Sequence, residues 1–171
     1  MNKYIISNNL SFENKVLPPQ KLIPIVANKD NTPIVFTNGC FDILHRGHVS
    51  YLAEAKSLGK ILIVALNTDE SIKRLGKADD RPINTLEDRC MVIAGLESVD
   101  YVTFFDEDTP LNLIHLLKPD ILVKGGDWAI KDIVGYSDVI SWGGSVYSIP
   151  FRHNTSTTKI IDKINKQQNG E

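Results

Sequence analysis

Hydrophobic and polar positions alternate along most of this chain as they do in a protein built from strands and helices. Short apolar runs rich in β-branched and aromatic residues predict strands, and apolar residues three or four apart predict helices. The predicted strands are residues 34–37, 61–66, 101–105, 121–123 and 145–149. The predicted helices are residues 48–58, 86–97, 110–117 and 156–166, with Thr109 as the cap of the third.

The order of these elements predicts an α/β fold with a doubly wound parallel sheet. Strands that alternate with helices imply right-handed crossovers, so that helices cover both faces of the sheet. The continuously apolar run Ile61–Leu66 is typical of a strand buried on both faces. Ligands of such sheets bind beyond the carboxyl ends of the strands. We therefore expect the loops after residues 37, 66, 123 and 149 to line one site.

The pattern also predicts the domain organisation. Residues 33–165 carry the strand–helix alternation and form a single predicted domain, in line with a length of 171 residues. Residues 1–32 contain three prolines and predict an N-terminal extension that packs on the domain, with a short helix over residues 19–29. Residues 166–171 predict a polar tail.

Composition excludes several function classes. No apolar run approaches the roughly 20 residues of a membrane-spanning helix. The formal net charge of −2 lacks the basic excess that is usual in proteins that bind nucleic acid. Cys40 and Cys90 form no CxxC pair, and the amino terminus has no apolar core of signal-peptide length. These features predict a reduced cytoplasmic protein without membrane or nucleic-acid partners.

The segment TNGCFDILHRGH, residues 37–48, carries the candidate chemistry. His45 and His48 are three residues apart at a predicted helix start, so both side chains can face one ligand. Gly47 lacks a side chain and lets a bulky ligand approach the backbone. The free N–H groups of a helix amino terminus favour an anion, so the pattern favours nucleotide phosphates. Two alternatives stay open. In one, His45 caps a turn and His48 is a surface residue; in the other, the two histidines form part of a zinc site.

Residues 39–48, GCFDILHRGH, resemble the signature of the cytidylyltransferase-like nucleotidyltransferases, Gly-x-Phe-Asp-x-x-His-x-Gly-His. A second element of that family, a Ser/Thr cluster opening the last helix, is matched by residues 156–158. Within the family, residues 67–69, 81–84, 96–102, 107–110 and 122–128 look like the D-glycero-β-D-manno-heptose-1-phosphate adenylyltransferases. The resemblance covers residues 33–165.

The resemblance implies a bacterial, cytoplasmic enzyme that uses Mg-ATP. The implied reaction transfers AMP from ATP to the sugar 1-phosphate and releases pyrophosphate, which gives ADP-heptose for lipopolysaccharide or other surface glycans. Relatives of this kind imply a homodimer, and the chain looks like the free-standing form without a sugar-kinase half. Two alternatives stay open. One is a cytidylyltransferase acting on glycerol 3-phosphate or an adenylyltransferase acting on pantetheine phosphate, and the other is a non-catalytic nucleotide-binding regulatory module.

The resemblance also implies roles for the motif residues. We expect His45 and His48 to bind the ATP phosphates and to stabilise the transition state. The hydroxyls and backbone N–H groups of the cluster Ser156, Thr157 and Thr158 are expected to bind the β- and γ-phosphates, which is compatible with simple capping of the helix. Asp42 is implied to hold Mg²⁺, with a turn or helix-cap role as the alternative.

The remaining expectations concern the nucleotide and the acceptor. The backbone of Thr37, Asn38, Gly39, Cys40 and Phe41, at the end of the first strand and just after it, is expected to line the nucleotide pocket. Lys124, Gly126 and Asp127, after the fourth strand, are also expected to bind the nucleotide. Trp128 is expected to form a wall of the site, unless residues 124–128 form a plain turn. Lys73 and Lys77 are candidates for the acceptor phosphate, with a solvated loop as the alternative. The family implies that Arg89 reaches the active site, whereas a surface arginine is the alternative.

Overall fold

The computed structural model describes residues 11–76 and 81–168. The five strands are β1 (Ile34–Gly39), β2 (Ile61–Asn67), β3 (Tyr101–Phe105), β4 (Ile121–Gly125) and β5 (Ser145–Ile149). The α-helices in these ranges are α1 (Pro19–Ala27), α2 (Arg46–Lys56), α3 (Asp69–Arg74), α4 (Leu86–Ala94), α5 (Leu111–Leu117), α6 (Tyr136–Ser141) and α7 (Thr157–Gln168). Short 3₁₀ turns span Glu13–Lys15, Lys29–Asn31 and Ile130–Asp132. No helix within the described ranges is long and apolar enough to cross a membrane.

All five strands are parallel and lie in the order β3-β2-β1-β4-β5. The chain therefore builds the sheet outward from β1 in one direction and then returns to add β4 and β5 on the other side. Phe36 of β1 is in register with Ile63 of β2 and with Leu122 of β4. The reversal of direction lies between β1 and β4, which is where parallel sheets bind ligands. The predicted doubly wound α/β fold is confirmed.

The core has two layers, one on each face of the sheet. Side chains of successive strand residues point to opposite faces, so Val35 belongs to one layer and Phe36 to the other. Helices α2 and α4 cover the Val35 face, with Leu52 and Ile93 fully buried there. Helices α1, α5 and α6 cover the opposite face. Every residue of β2 is buried, as its continuously apolar sequence predicts.

Residues 11–32 pack against the edge of the sheet and one of its faces. Val16 forms a parallel bridge with Val102 of β3, and Leu22 of α1 is fully buried in the core. The ammonium group of Lys15 donates to the carbonyl oxygens of Leu96 and Val99 at 3.2 and 2.8 Å. These contacts tie the segment before β1 to the connection between α4 and β3. The division of the chain into a separate extension, a domain and a tail stays a prediction.

Three local features differ from the sequence-based expectations. Helix α5 begins at Leu111 with Pro110 as its N-cap, so the prediction that Thr109 caps it is wrong. Helices α3 and α6 were not predicted, because six residues are too few to show a helical period. The start of α3 does carry a local signal, since the hydroxyl of Thr68 accepts a hydrogen bond from the Ser71 backbone N–H at 3.1 Å.

Candidate active site

The turn after β1 is compact and supports the histidine motif. Phe41 has φ of 47°, a left-handed backbone conformation that residues other than glycine rarely adopt. Its ring folds back over Gly39, where an added Cβ would lie 2.9 Å from the ring. The same ring meets His48 edge-on, with ring centroids 5.1 Å apart. Gly39 thus leaves the space in which Phe41 supports His48.

His45 and His48 stack on each other at the start of α2. Their ring centroids are 3.8 Å apart and the ring planes differ by 19°. An added Cβ at Gly47 would lie 3.0 Å from the His45 ring, so glycine is needed for His45 to lie against the first turn of the helix. The Nδ1 atoms of both rings are buried without a hydrogen-bond partner in the described part of the chain. Such orphaned polar atoms are rare and are typical of sites that a ligand or water completes.

The histidine pair is uncharged near neutral pH. Burial, with the neighbouring His45 as a second cause, lowers the pKa of His48 to about 4. Burial likewise lowers the pKa of His45 below its usual value. The two rings therefore offer hydrogen bonds to a ligand without carrying a full positive charge in the free protein.

This low pKa predicts a loss of stability in mild acid. The unfolded chain binds a proton at His48 near pH 6.5 and the folded protein near pH 4, so between these values the unfolded state holds more protons. The free energy of unfolding should therefore fall as pH is lowered through this window. Urea denaturation should show a smaller fall for His48→Gln than for the wild type. Parallel curves for the two proteins would contradict a depressed pKa at this residue.

A cavity of about 330 Å³ opens beside the two histidines, and we call it the histidine cavity. Helix α7 begins at this cavity, and the hydroxyl of Ser156 accepts a hydrogen bond from the Lys159 backbone N–H at 3.2 Å. The first N–H groups of a helix form a site for anions. Its lining consists of Cys40, Phe41, Asp42, His45, His48, Arg81, Phe151 and residues 155–158. Both family motifs therefore face one space, although more than 100 residues separate them in the sequence.

The loop after β1, residues 40–45, is called the β1 loop. A second cavity of about 320 Å³ also borders this loop, shares Cys40 with the histidine cavity, and is called the tryptophan cavity. Its lining combines amides, carboxylates and an exposed aromatic ring, and it includes Asn38, Gly39, Cys40, Asn67, Asp108, Lys124, Trp128 and Asp132. The lining of a smaller cavity of about 150 Å³ shares residues with both, among them Cys40 and Lys124 with the tryptophan cavity and His48 with the histidine cavity. The β1 loop thus borders both spaces at the carboxyl edge of the sheet.

The structure brings together most of the predicted binding residues. Those that line the cavities are Asn38, Gly39, Cys40, Phe41, His45, His48, Lys124, Trp128, Ser156, Thr157 and Thr158. Gly126 is not among these lining residues. It has φ of 112°, and an added Cβ would lie 3.3 Å from the Trp128 ring. Lys77 lies outside the described residues.

Two predicted nucleotide-binding residues lie elsewhere. Thr37 is fully buried, and its hydroxyl is bonded to the Tyr51 hydroxyl at 2.5 Å, so its side chain serves the core and not a cavity. Asp127 is exposed to solvent and lies outside the lining of these cavities. The Thr37 side chain is therefore excluded from nucleotide contact, whereas the predicted roles of the Thr37 backbone and of Asp127 stay predictions.

The assignment of Arg89 to direct contact with the reactants is also corrected. Its side chain is 0% exposed. The guanidinium donates to the carbonyl oxygens of Cys40 and Asn67 at 2.8 and 2.9 Å, and to Asn84 O at 3.1 Å. A further bond of 2.6 Å reaches the Asp69 carboxylate. Arg89 is therefore buried and links the ends of β1 and β2 to α3 and the start of α4. The alternative prediction, a solvated surface arginine, is also wrong.

Asp42 does not present a metal-binding oxygen. Its carboxylate is 0% exposed and accepts hydrogen bonds from Arg81 Nε at 2.6 Å and from the backbone N–H groups of Ile83 and Asn84. Three donors occupy an oxygen pair that Mg²⁺ would have to share. Within the described residues, no group of three or more His, Cys, Asp or Glu side chains could hold a metal ion. A protein-built magnesium site on Asp42 therefore does not fit, and that prediction is corrected.

Lys73 is not placed at a cavity either. It lies on helix α3, more than half exposed, and its ammonium group pairs with Glu70 at 2.8 Å. The predicted role in binding the acceptor phosphate is therefore not supported by its position, and the residue belongs to a solvated helix face.

Three residues that line the histidine cavity were not predicted from the sequence. Arg81 approaches from the segment before α4, Thr155 precedes α7, and Phe151 follows β5. The ring of Phe151 lies over Gly125, where an added Cβ would be 2.9 Å away, and meets Tyr51 edge-on. The adjacent glycines 125 and 126 indicate from the sequence that another group approaches this backbone closely. The sequence does not identify that group as the Phe151 ring.

The histidine pair, the α7 amino terminus and the sheet order agree with a comparison against known families. Residues 36–163 match the family described as Cytidylyltransferase-like. The chain belongs to this family. The match runs from within β1 to within α7, so it reaches every strand of the sheet and includes both motifs of the site. The family resemblance found in the sequence is confirmed.

Individual relatives of this nucleotidyltransferase have names that are more specific than the family description. It is 51% identical over 154 residues to D-beta-D-heptose 1-phosphate adenylyltransferase of Bordetella bronchiseptica, covering 90% of this chain and 95% of that one. It is 56% identical over 135 residues to the bifunctional protein HldE of Hahella chejuensis, covering 79% of this chain but 28% of that protein. A lipopolysaccharide core biosynthesis protein from Thermoplasma volcanium superimposes with a TM-score of 0.59 at 30% identity, over 71% of this chain and 98% of that one.

Proposed function

We propose that this enzyme transfers AMP from ATP to D-glycero-β-D-manno-heptose 1-phosphate, giving ADP-heptose and pyrophosphate for lipopolysaccharide or surface-glycan synthesis. The observation that carries the proposal is the histidine cavity, where the stacked histidines and the amino terminus of α7 face one space. The choice of acceptor is supported by 51% identity to the Bordetella heptose 1-phosphate adenylyltransferase over nearly its whole length.

The site suits nucleotidyl transfer by positioning and charge stabilisation. A phosphate oxygen of the sugar 1-phosphate attacks the α-phosphorus of ATP, the bond to the bridging oxygen breaks, and pyrophosphate leaves. This reaction needs no covalent nucleophile on the protein. His45 and His48 supply hydrogen bonds to phosphate oxygens, and the N–H groups at the start of α7 stabilise the negative charge of the leaving pyrophosphate.

The tryptophan cavity is the proposed acceptor site. Heptose carries several hydroxyl groups, and the amides of Asn38 and Asn67 with the carboxylate of Asp108 offer both donors and acceptors to them. The exposed Trp128 ring gives an apolar wall for a sugar face. Because the β1 loop borders both cavities, an acceptor bound here has its phosphate near the histidine pair.

Mg²⁺ is proposed to arrive as the ATP complex, bound by phosphate oxygens. Mg²⁺ commonly keeps several waters and binds through substrate phosphates with few protein ligands, which agrees with the engaged carboxylate of Asp42. We further propose that the enzyme acts in the cytoplasm as a homodimer.

The proposed reaction is tested by pyrophosphate release across a matrix of nucleotides and acceptors. ATP with heptose 1-phosphate and Mg²⁺ should give the strongest signal, and omission of any one of the three should abolish it. Glycerol 3-phosphate and pantetheine phosphate serve as acceptors of the competing activities, and CTP serves as the competing nucleotide. A preference for CTP with glycerol 3-phosphate would replace the proposed substrates, and binding of ATP without pyrophosphate release from any acceptor would indicate a regulatory module.

A further inference from the structure

Arg81 lies in the wall of the histidine cavity and is held there by a buried ion pair. Its Nε donates to Asp42 Oδ2 at 2.6 Å, and its side chain is 8% exposed. Asp42 precedes His45 by only three residues, so the pair connects the segment before α4 directly to the histidine motif. The contact is thus made at the reaction site and not at a remote surface.

Both partners of this ion pair belong to the lining of the histidine cavity, but only the Arg81 side chain is partly exposed. The Asp42 carboxylate is 0% exposed and also accepts hydrogen bonds from the backbone N–H groups of Ile83 and Asn84 at 3.0 and 2.9 Å. Its charge is therefore balanced by Arg81 and further stabilised by the two backbone N–H groups. The Arg81 side chain, in contrast, is 8% exposed and lines the histidine cavity. A guanidinium has five N–H donors in a fixed planar fork, of which the Asp42 bond uses the Nε hydrogen.

The charged and neutral groups that line the cavity, among them the paired Asp42 carboxylate, point to a role for Arg81. Burial lowers the pKa of both histidines, so neither is a cation near neutral pH in the free protein. Among the described residues that line the histidine cavity, Arg81 is the one side chain with a permanent positive charge. A triphosphate brings several negative charges, and planar guanidinium groups bind phosphate oxygens through paired, charge-assisted hydrogen bonds.

We propose that Arg81 binds the β- and γ-phosphates of ATP and the pyrophosphate that leaves, and that Asp42 positions it for this contact. The inference rests on the proposed function, since it assumes that ATP occupies the histidine cavity. It assigns to Asp42 a positioning role in place of metal binding.

The test compares two variants that differ only at Arg81. Asp42→Asn keeps the arginine, and Asp42→Asn/Arg81→Gln removes it without leaving a buried carboxylate unpaired. Calorimetric titration with inorganic pyrophosphate, ATP and AMP should show that the double variant binds pyrophosphate and ATP about ten-fold or more weakly than Asp42→Asn, as loss of a charge-assisted contact predicts. Affinity for AMP should agree within about two-fold, since AMP lacks the contacted phosphates.

Control variants separate a local contact from a general charge effect or a folding defect. Lys29→Gln removes one positive charge from an exposed turn before the amino end of β1, and should bind all three ligands as the wild type does. If circular dichroism shows the double variant unfolded, Arg81→Lys takes its place, because it keeps the charge beside Asp42 but lacks the planar fork. Weaker binding of pyrophosphate by Arg81→Lys would then support the inference.

Three results would overturn the inference. These are equal pyrophosphate affinity with and without Arg81, an equal loss of AMP affinity, and a wild-type protein that binds no pyrophosphate. Turnover of ATP and heptose 1-phosphate by the wild type decides the proposed function separately, so failure of one does not hide failure of the other.

Discussion

Replacement of His48 by alanine is expected to lower kcat by about 10²-fold or more, as loss of a preorganised transition-state donor typically does. His48 is the more buried of the two histidines, and it is fixed by stacking on His45 and by edge contact with Phe41. A donor held this firmly stabilises developing charge without reorganisation. The Michaelis constant for ATP should change much less than kcat, because the contact strengthens as charge develops on the phosphate oxygens.

His115→Ala is the matched control for this experiment. His115 lies on α5, is about half exposed and pairs with Asp138 at 2.7 Å, outside the lining of both cavities. Steady-state kinetics of this variant should match the wild type. Near wild-type kcat for His48→Ala, in a protein with wild-type circular dichroism, would show that the histidine motif is structural in this enzyme.

Replacement of Arg89 by methionine is expected to lower the free energy of unfolding by about 3 kcal/mol or more. Methionine retains much of the length and apolar volume of the arginine stem but none of its donors. The buried carbonyl oxygens of Cys40 and Asn67 would each lose their bond to the guanidinium, and the Asp69 carboxylate would lose its ion pair. Urea denaturation at neutral pH measures the loss.

Arg74→Met is the matched control for Arg89. Arg74 lies at the end of α3, is nearly half exposed and pairs with Asp106 and Asp108 at the surface. Its replacement should leave the urea midpoint close to that of the wild type, because solvent screens exposed ion pairs. Similar urea midpoints for both variants would mean that the hydrogen bonds of Arg89 to the ends of β1 and β2 do not contribute to the free energy of unfolding.

The class of the enzyme was predictable because its signals are local. The continuous apolar run Ile61–Leu66 is enough to indicate a strand buried on both faces, and the structure buries all of β2. His45, Gly47 and His48 are recognisable by spacing alone, because a helical turn brings residues three apart to one face. The residues of the last helix start, 156–158, are likewise close neighbours in sequence.

The roles of individual charged residues were not predictable, because a charge in a sequence does not reveal its partner. Asp42 and Arg81 are 39 residues apart, and each alone suits a metal ligand or a surface charge. Arg89 and Asn67 are 22 residues apart, and only the packing of α4 against the sheet sends the guanidinium into the core. Burial makes such pairing obligatory, and burial is a property of the folded chain.

The sequence by itself determined the strand–helix order, the doubly wound sheet and the presence of a paired-histidine motif at the start of α2. These follow from hydrophobic period and from residue types within one helical turn. Only the tertiary structure decided that Arg81 faces the histidine cavity, that Asp42 and Arg89 are bound within the protein, and that Lys73 faces solvent. The reason is physical: these outcomes depend on which distant donors and acceptors meet when water is excluded.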